Sequence, residues 1–188
     1  MKIGDTGAEV LAYQTAHKLD ADGVCGNDTY LRWRADNDPC LPWMLVRGAK
    51  LVGVITTYSM ANPGPNANDC SGFVDLALGV PKSPSGINST HRWLNTDGIL
   101  ADAYGNDILF HDIAMSELKA GDLVCYGGHD GHVGHIAFVV DPATHLILDC
   151  SGSKNGVHCH IDTLAHFWSN VPGRPVQALR FVGPTANS

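Results

Sequence analysis

The chain reads as an α+β protein with an antiparallel sheet and helices packed on one side of it. Two observations predict this. Amphipathic or apolar stretches of helical spacing fall in the first half of the 188 residues, and β-branched or alternating runs separated by turn residues follow one another in the second half. Helices first and strands afterwards is the order of a segregated α+β fold, not of an alternating βαβ one.

The elements follow in order. EVLAYQTAH (9–17) carries Val10, Leu11 and Tyr13 at the spacing of a short amphipathic helix. DADGVCGNDT is a turn-rich loop, and Asp28 or Thr29 is placed to cap a second helix, TYLRWRAD. DNDPCLP (36–42) breaks that helix and predicts a stiff linker, dividing the chain into a small helical unit at 1–38, a linker at 39–46 and a larger domain at 47–188. WMLVRGAKLVGVITTYS is apolar enough for a packed helix ending near Thr57-Tyr58; ANPGPNAND is a loop; Cys70 to Leu78 is a short apolar helix; INSTHRWLN (87–95) suggests another, opened by Asn88 or Ser89. GDLVCYG (121–127), HIAFVVD (135–141), HLILDCS (145–151), VHCHIDT (157–163) and VQALRFV (176–182) predict about five strands.

Composition narrows the function. Hydrophobic residues at 44% with 16% charged residues suit a globular domain, and a net charge of −7 without Lys/Arg clusters argues against nucleic acid or an anionic membrane as the partner. No apolar run approaches the ~18 residues of a membrane span. MKIGDTGAEV lacks the basic-then-apolar profile of a secretory signal, so export is expected to use another route. The six cysteines form no CxxC pair, and a core of this size has no need of disulfide staples.

Within this frame, NANDCSGFVDLAL (66–78) places Cys70 where a loop turns into a helix. A structural thiol needs only apolar neighbours. A nucleophilic one needs a positive field, which a helix N-terminus supplies, and a base within hydrogen-bond reach. GHDGHVGHIAFVVD offers His129, His132 and His135. The first two sit among glycines; His135 opens an alternating strand with Ala137 and Val139 on its face, and is the preferred base, with His132 the alternative. A three-residue loop at Asp141-Pro142-Ala143 would set Asp149 opposite His135 to orient it, while a loop one residue longer would present Cys150 instead. The three histidines, with Asp130, also compose the competing metal reading, against which stands zinc's need for three or four ligands in tight geometry. Asp20, Asp22 and Asp28 lack the Glu and the spacing of a calcium loop. Cys25, Cys40, Cys125, Cys150 and Cys159 keep a structural reading, and Trp43, Trp93 and Trp168 a core or groove-wall one.

DCSGFV (69–74), LKAGDLVCY (118–126), GHIAFVVD (134–141) and LILDCSG (146–152) occur in the order of the motifs of the NlpC/P60 cell-wall cysteine peptidases, and residues 47–183 resemble that family. The resemblance implies a papain-like fold, Cys70 as nucleophile, His135 as base, Asp149 in the third polar position (where histidine is common), and Tyr58, twelve residues before Cys70, facing the nucleophile. Asp69, Ser71 and Trp93 are candidate substrate contacts beside it. GDTGAEVLAYQ and DADGVCGNDT resemble parts of a three-helix peptidoglycan-binding module, which implies wall targeting by residues 1–38. The implied activity is hydrolysis of a stem-peptide amide in bacterial peptidoglycan, next to D-glutamate, with cleavage of the sugar–peptide amide as the alternative. No metal or other cofactor is expected, and the chain is expected to be a monomer. A phage endolysin released through a holin pore, or an interbacterial amidase toxin, would fit, as would a non-catalytic wall-binding protein were the Cys–His pair incomplete.

Overall fold

Glycine and proline positions set the boundaries of the elements. The computed structural model describes residues 1–60, 66–80, 94–105, 108–129, 132–154, 157–169 and 173–184. Three helices open the chain: α1 (Ala8–Ala16), α2 (Asn27–Asn37) and α3 (Trp43–Leu51). A two-stranded parallel ribbon follows, β1 (Thr57–Tyr58) with β2 (Ala67–Asn68), then α4 (Cys70–Leu78) and α5 (Thr96–Gly105). Strands β3 (Phe110–Ile113), β4 (Leu123–Tyr126), β5 (His135–Asp141), β6 (Leu146–Lys154), β7 (Val157–Thr163) and β8 (Gln177–Phe181) form one antiparallel sheet in the order β3-β8-β4-β5-β6-β7, with α6 (Leu164–Ser169) between the last two in sequence. The expected α+β class and antiparallel sheet are what the chain forms.

Period-2 alternation divides the sheet residues between two cores. Leu123, Cys125, Ile136, Phe138, Leu148, Cys150 and Cys159 face the helices, where Phe73 of α4 meets Phe138 edge-on with ring centroids 5.9 Å apart. Val124, Tyr126, Ala137, Val139 and Ile147 face the other way, under Leu164 and Phe167 of α6. The helices are therefore chiefly on one side, with the short α6 covering the other.

Several boundaries differ from expectation. α3 ends at Leu51, because Gly53 takes a left-handed φ of 76° and a Cβ there would lie 2.3 Å from the Lys18 carbonyl oxygen; the β-branched residues beyond it lead into β1 instead of prolonging the helix. α2 starts at Asn27 behind Gly26, so Asp28 lies inside its first turn instead of capping it. Strand β3 and helices α5 and α6 are additional elements. The expected helix at 87–95 lies largely outside the described residues.

The helical unit at 1–38 is tied to the rest. Leu31 and Ala35 of α2 belong to the same core as Phe73 and Phe138, and Asp28 Oδ1 accepts a hydrogen bond from the Ile161 N–H of β7 at 2.6 Å. The acidic loop that could suggest calcium is a turn: Asp22 Oδ1 accepts from the Val24 N–H at 2.8 Å and from Gln14 Nε2 at 2.9 Å.

Candidate active site

The helix start that carries Cys70 is built by its neighbours. Asp69 caps α4, its Oδ1 accepting from the Gly72 N–H at 2.8 Å and from the Ser71 hydroxyl at 3.0 Å. Gly72 is demanded by space, since a Cβ there would stand 2.3 Å from the buried Asn68 Oδ1. Asp69 and Ser71, expected as substrate contacts, are committed to this cap, and Ser71 is buried. Trp93 lies outside the described residues.

Tyr58 reaches the same point through the ribbon. Its backbone pairs with Asn68, two residues before Cys70, and its phenol lies close enough to Cys70 to feel that group's charge. Burial first, then the negative charges of Cys70 and Asp69, raise the Tyr58 phenol well above its ordinary value, so it stays a protonated donor.

His135 stands at the opening of β5. Nε2 lies 2.7 Å from Asp149 Oδ2, which leaves Nδ1 as the ring nitrogen available to Cys70, whose charge acts on the imidazole. The Cys70 sulfur also lies 3.9 Å from the Gly134 carbonyl oxygen. Tyr126 and Phe167 flank the imidazole with centroids 6.1 and 5.3 Å away, and Arg174 lies over the Tyr126 ring while donating to the Val133 carbonyl at 3.2 Å. Burial works against an imidazolium here, but the hydrogen bonds and charges of Asp149 and Cys70 outweigh it and raise His135 to about 10.

Asp149 arrives by a register different from the expected one. It pairs directly with Ala137, not His135, because the turn runs over residues 142–145 with His145 at a left-handed φ of 58°, and the ladder is irregular between Val139 and Asp141. The displacement is two places, which preserves the face. Asp149 therefore still projects to the His135 side and reaches it diagonally.

His132, the alternative base, is exposed and forms a two-residue bridge with His129 outside β5. Of the other cysteines, Cys25, Cys125, Cys150 and Cys159 are buried and Cys40 is exposed, all as free thiols. One group went unnoticed in the sequence: His160 on β7, whose Nε2 lies 3.7 Å from Asp149 Oδ1. The alternation of HCHID placed His160 and Asp162 on one face, but only the β6–β7 register shows that the face is that of Asp149.

A thiol at a helix N-terminus, an imidazole close to it and a carboxylate behind the imidazole can carry out nucleophilic acyl transfer. The model of the family described as bacteriophage peptidoglycan hydrolase matches residues 36–188. The chain belongs to that family. The chain is also similar to the solved structure of NlpC2 from Trichomonas vaginalis, with a TM-score of 0.44 and 16% identity, over 78% of this chain and 49% of that one. The chain thus spans about half the length of that structure. No curated protein matches it.

Proposed function

We propose that this peptidoglycan hydrolase cuts an amide bond of the stem peptide by cysteine chemistry, with γ-D-glutamyl-diamino acid endopeptidase as the specific activity and phage-driven wall lysis as its use. The observation that carries the reading is the placing of the Cys70 sulfur 3.9 Å from the carbonyl of Gly134, the residue before His135, whose Nε2 is held at 2.7 Å by the Asp149 carboxylate.

The Cys70 thiolate attacks the scissile carbonyl while the α4 N-terminus and the His135 imidazolium balance its charge. The oxyanion forms against N–H groups of the first helical turn, that of Cys70 among them. His135 gives its proton to the leaving amine, and then accepts one from the water that hydrolyses the thioester. Asp149 keeps the imidazole oriented and charged. Tyr58, protonated and close to Cys70, is a donor for the thiolate. The expected choice of bond rests on the motif resemblance in residues 47–183, and the family's phage description supports the endolysin reading over a secreted toxin.

Residues 1–38 are proposed to contribute to wall binding, on the strength of their two partial motifs. The proposal for the site is tested with purified sacculi. Cys70→Ala should release no soluble fragments, iodoacetamide should inactivate the wild type, and EDTA should leave it active. Loss of activity to EDTA with recovery on adding zinc would overturn the cysteine mechanism.

A further inference from the structure

Asp149 has two carboxylate oxygens, and the proposed mechanism uses one. Oδ2 holds His135; Oδ1 is buried and has no hydrogen-bond partner among the described residues. A buried carboxylate oxygen left unpaired is costly, and such atoms are rare in folded proteins. A donor stands beside it. His160 is directly opposite Asp149 in the β6–β7 ladder, so both side chains leave the sheet on one face, and His160 Nε2 lies 3.7 Å from Asp149 Oδ1. The same nitrogen lies 3.8 Å from Asp162 Oδ2. Set between two carboxylates, Nε2 is the ring atom that carries a hydrogen. Nδ1 is buried and makes no hydrogen bond among the described residues.

We propose that His160 is a positioning residue for hydrolysis: donating from Nε2 to Asp149 Oδ1, it keeps the other carboxylate oxygen turned toward His135. The inference rests on the Cys70–His135–Asp149 reading above. Closing 3.7 Å to a hydrogen bond of about 2.9 Å requires only a small side-chain rotation, and the active arrangement has that bond made. Asp162 steadies His160 from the other side, and is itself engaged by the Thr163 N–H at 2.7 Å and by His166 Nδ1 of α6. The result is an alternating row, His135–Asp149–His160–Asp162–His166, running from the nucleophile to an exposed histidine. The charged groups around His160 are Asp149 on β6, Asp162 on its own strand and Asp28 on α2, which bonds the Ile161 N–H. His166 reaches it through Asp162.

Without His160, Asp149 Oδ1 loses the neighbouring donor and the carboxylate is free to turn from His135. The imidazolium then gives up its proton at lower pH and is less well aimed. His160→Ala should lower kcat for release of soluble muropeptides about 10- to 100-fold, the usual cost of losing an outer partner that orients a reacting group. KM should hold within about twofold, since no substrate contact is touched, and the alkaline limb of the kcat profile should move down by about one pH unit. His160→Gln carries an N–H donor of similar reach and should retain most of kcat and the wild-type limb. His160→Ala with kcat and alkaline limb both unchanged would overturn the proposal, and so would His160→Gln losing as much as His160→Ala. Should the alanine variant not fold, glutamine against asparagine decides: a lowered limb only for the shorter asparagine supports the role, and equal limbs overturn it. Failure of the underlying mechanism has a different signature, because Cys70→Ala would then still hydrolyse sacculi.

Discussion

Replacing Asp149 by asparagine removes the charge that holds His135 and keeps the shape of the side chain. His135 Nε2 is 2.7 Å from Asp149 Oδ2, and the imidazolium persists to about pH 10 although burial opposes it. An opposite charge this close changes a protonation equilibrium by about 10- to 1,000-fold, or about 1.4–4 kcal/mol. The alkaline limb of hydrolysis, set by proton loss from His135, should therefore fall from about 10 in the wild type to about 7–9 in Asp149→Asn. Folding raises the His135 value, so its contribution to stability is whole below the ordinary 6.5 and is lost as pH rises through about 10; in the variant that loss comes earlier. The assay is the initial rate of muropeptide release across the neutral and alkaline range, with the fold of each variant checked by circular dichroism. A folded Asp149→Asn variant whose alkaline limb has not moved would refute the claim that Asp149 sustains the imidazolium.

Other perturbations separate structure from chemistry. Cys70→Ser should be inactive yet keep its stability within about 1 kcal/mol, while Cys40→Ser, at an exposed thiol, should keep full activity; residual lysis by the first or loss of activity in the second contradicts the assignment of the nucleophile. Asp69→Ala removes the acceptor for the Gly72 N–H and the Ser71 hydroxyl and should cost about 1 kcal/mol in denaturant unfolding, with activity falling because the helix start that aims Cys70 is loosened. Gly72→Ala brings a Cβ to 2.3 Å from Asn68 Oδ1 and should destabilise by about 1–3 kcal/mol; a wild-type unfolding midpoint would show that the cap has room to give.

The legible parts of the site were those set by local sequence. Asp69, Ser71 and Gly72 around Cys70 announce a capped helix start, and α4 spans Cys70–Leu78 as read. The opening of β5 at His135 follows from alternation alone. Asp149 was legible by parity, since any even displacement leaves it on the His135 face, although the turn at 142–145 and the irregularity near Val139 moved the pairing by two places. His160 was not legible, because its role depends on a register between β6 and β7 that neither strand states. β3 is a four-residue strand of mixed polarity that exists through pairing with β8, and α3 stops where Gly53 meets the Lys18 carbonyl, a contact from a distant part of the chain. Local signals cannot carry that information. The unit at 1–38 shows the same limit, because its motif resemblance says nothing of Leu31 and Ala35 joining the main core.

The central claim, that Cys70 attacks a stem-peptide amide, is tested most directly by digesting purified sacculi with the full chain and with Cys70→Ala and reading the fragments by mass spectrometry. The account predicts new free amines on the diamino acid, peptide stubs ending in D-glutamate still attached to the glycan, and no such fragments from Cys70→Ala. Glycan stripped of all peptide would show that the sugar–peptide amide is the bond cut, and the same fragments from Cys70→Ala would contradict the nucleophile itself.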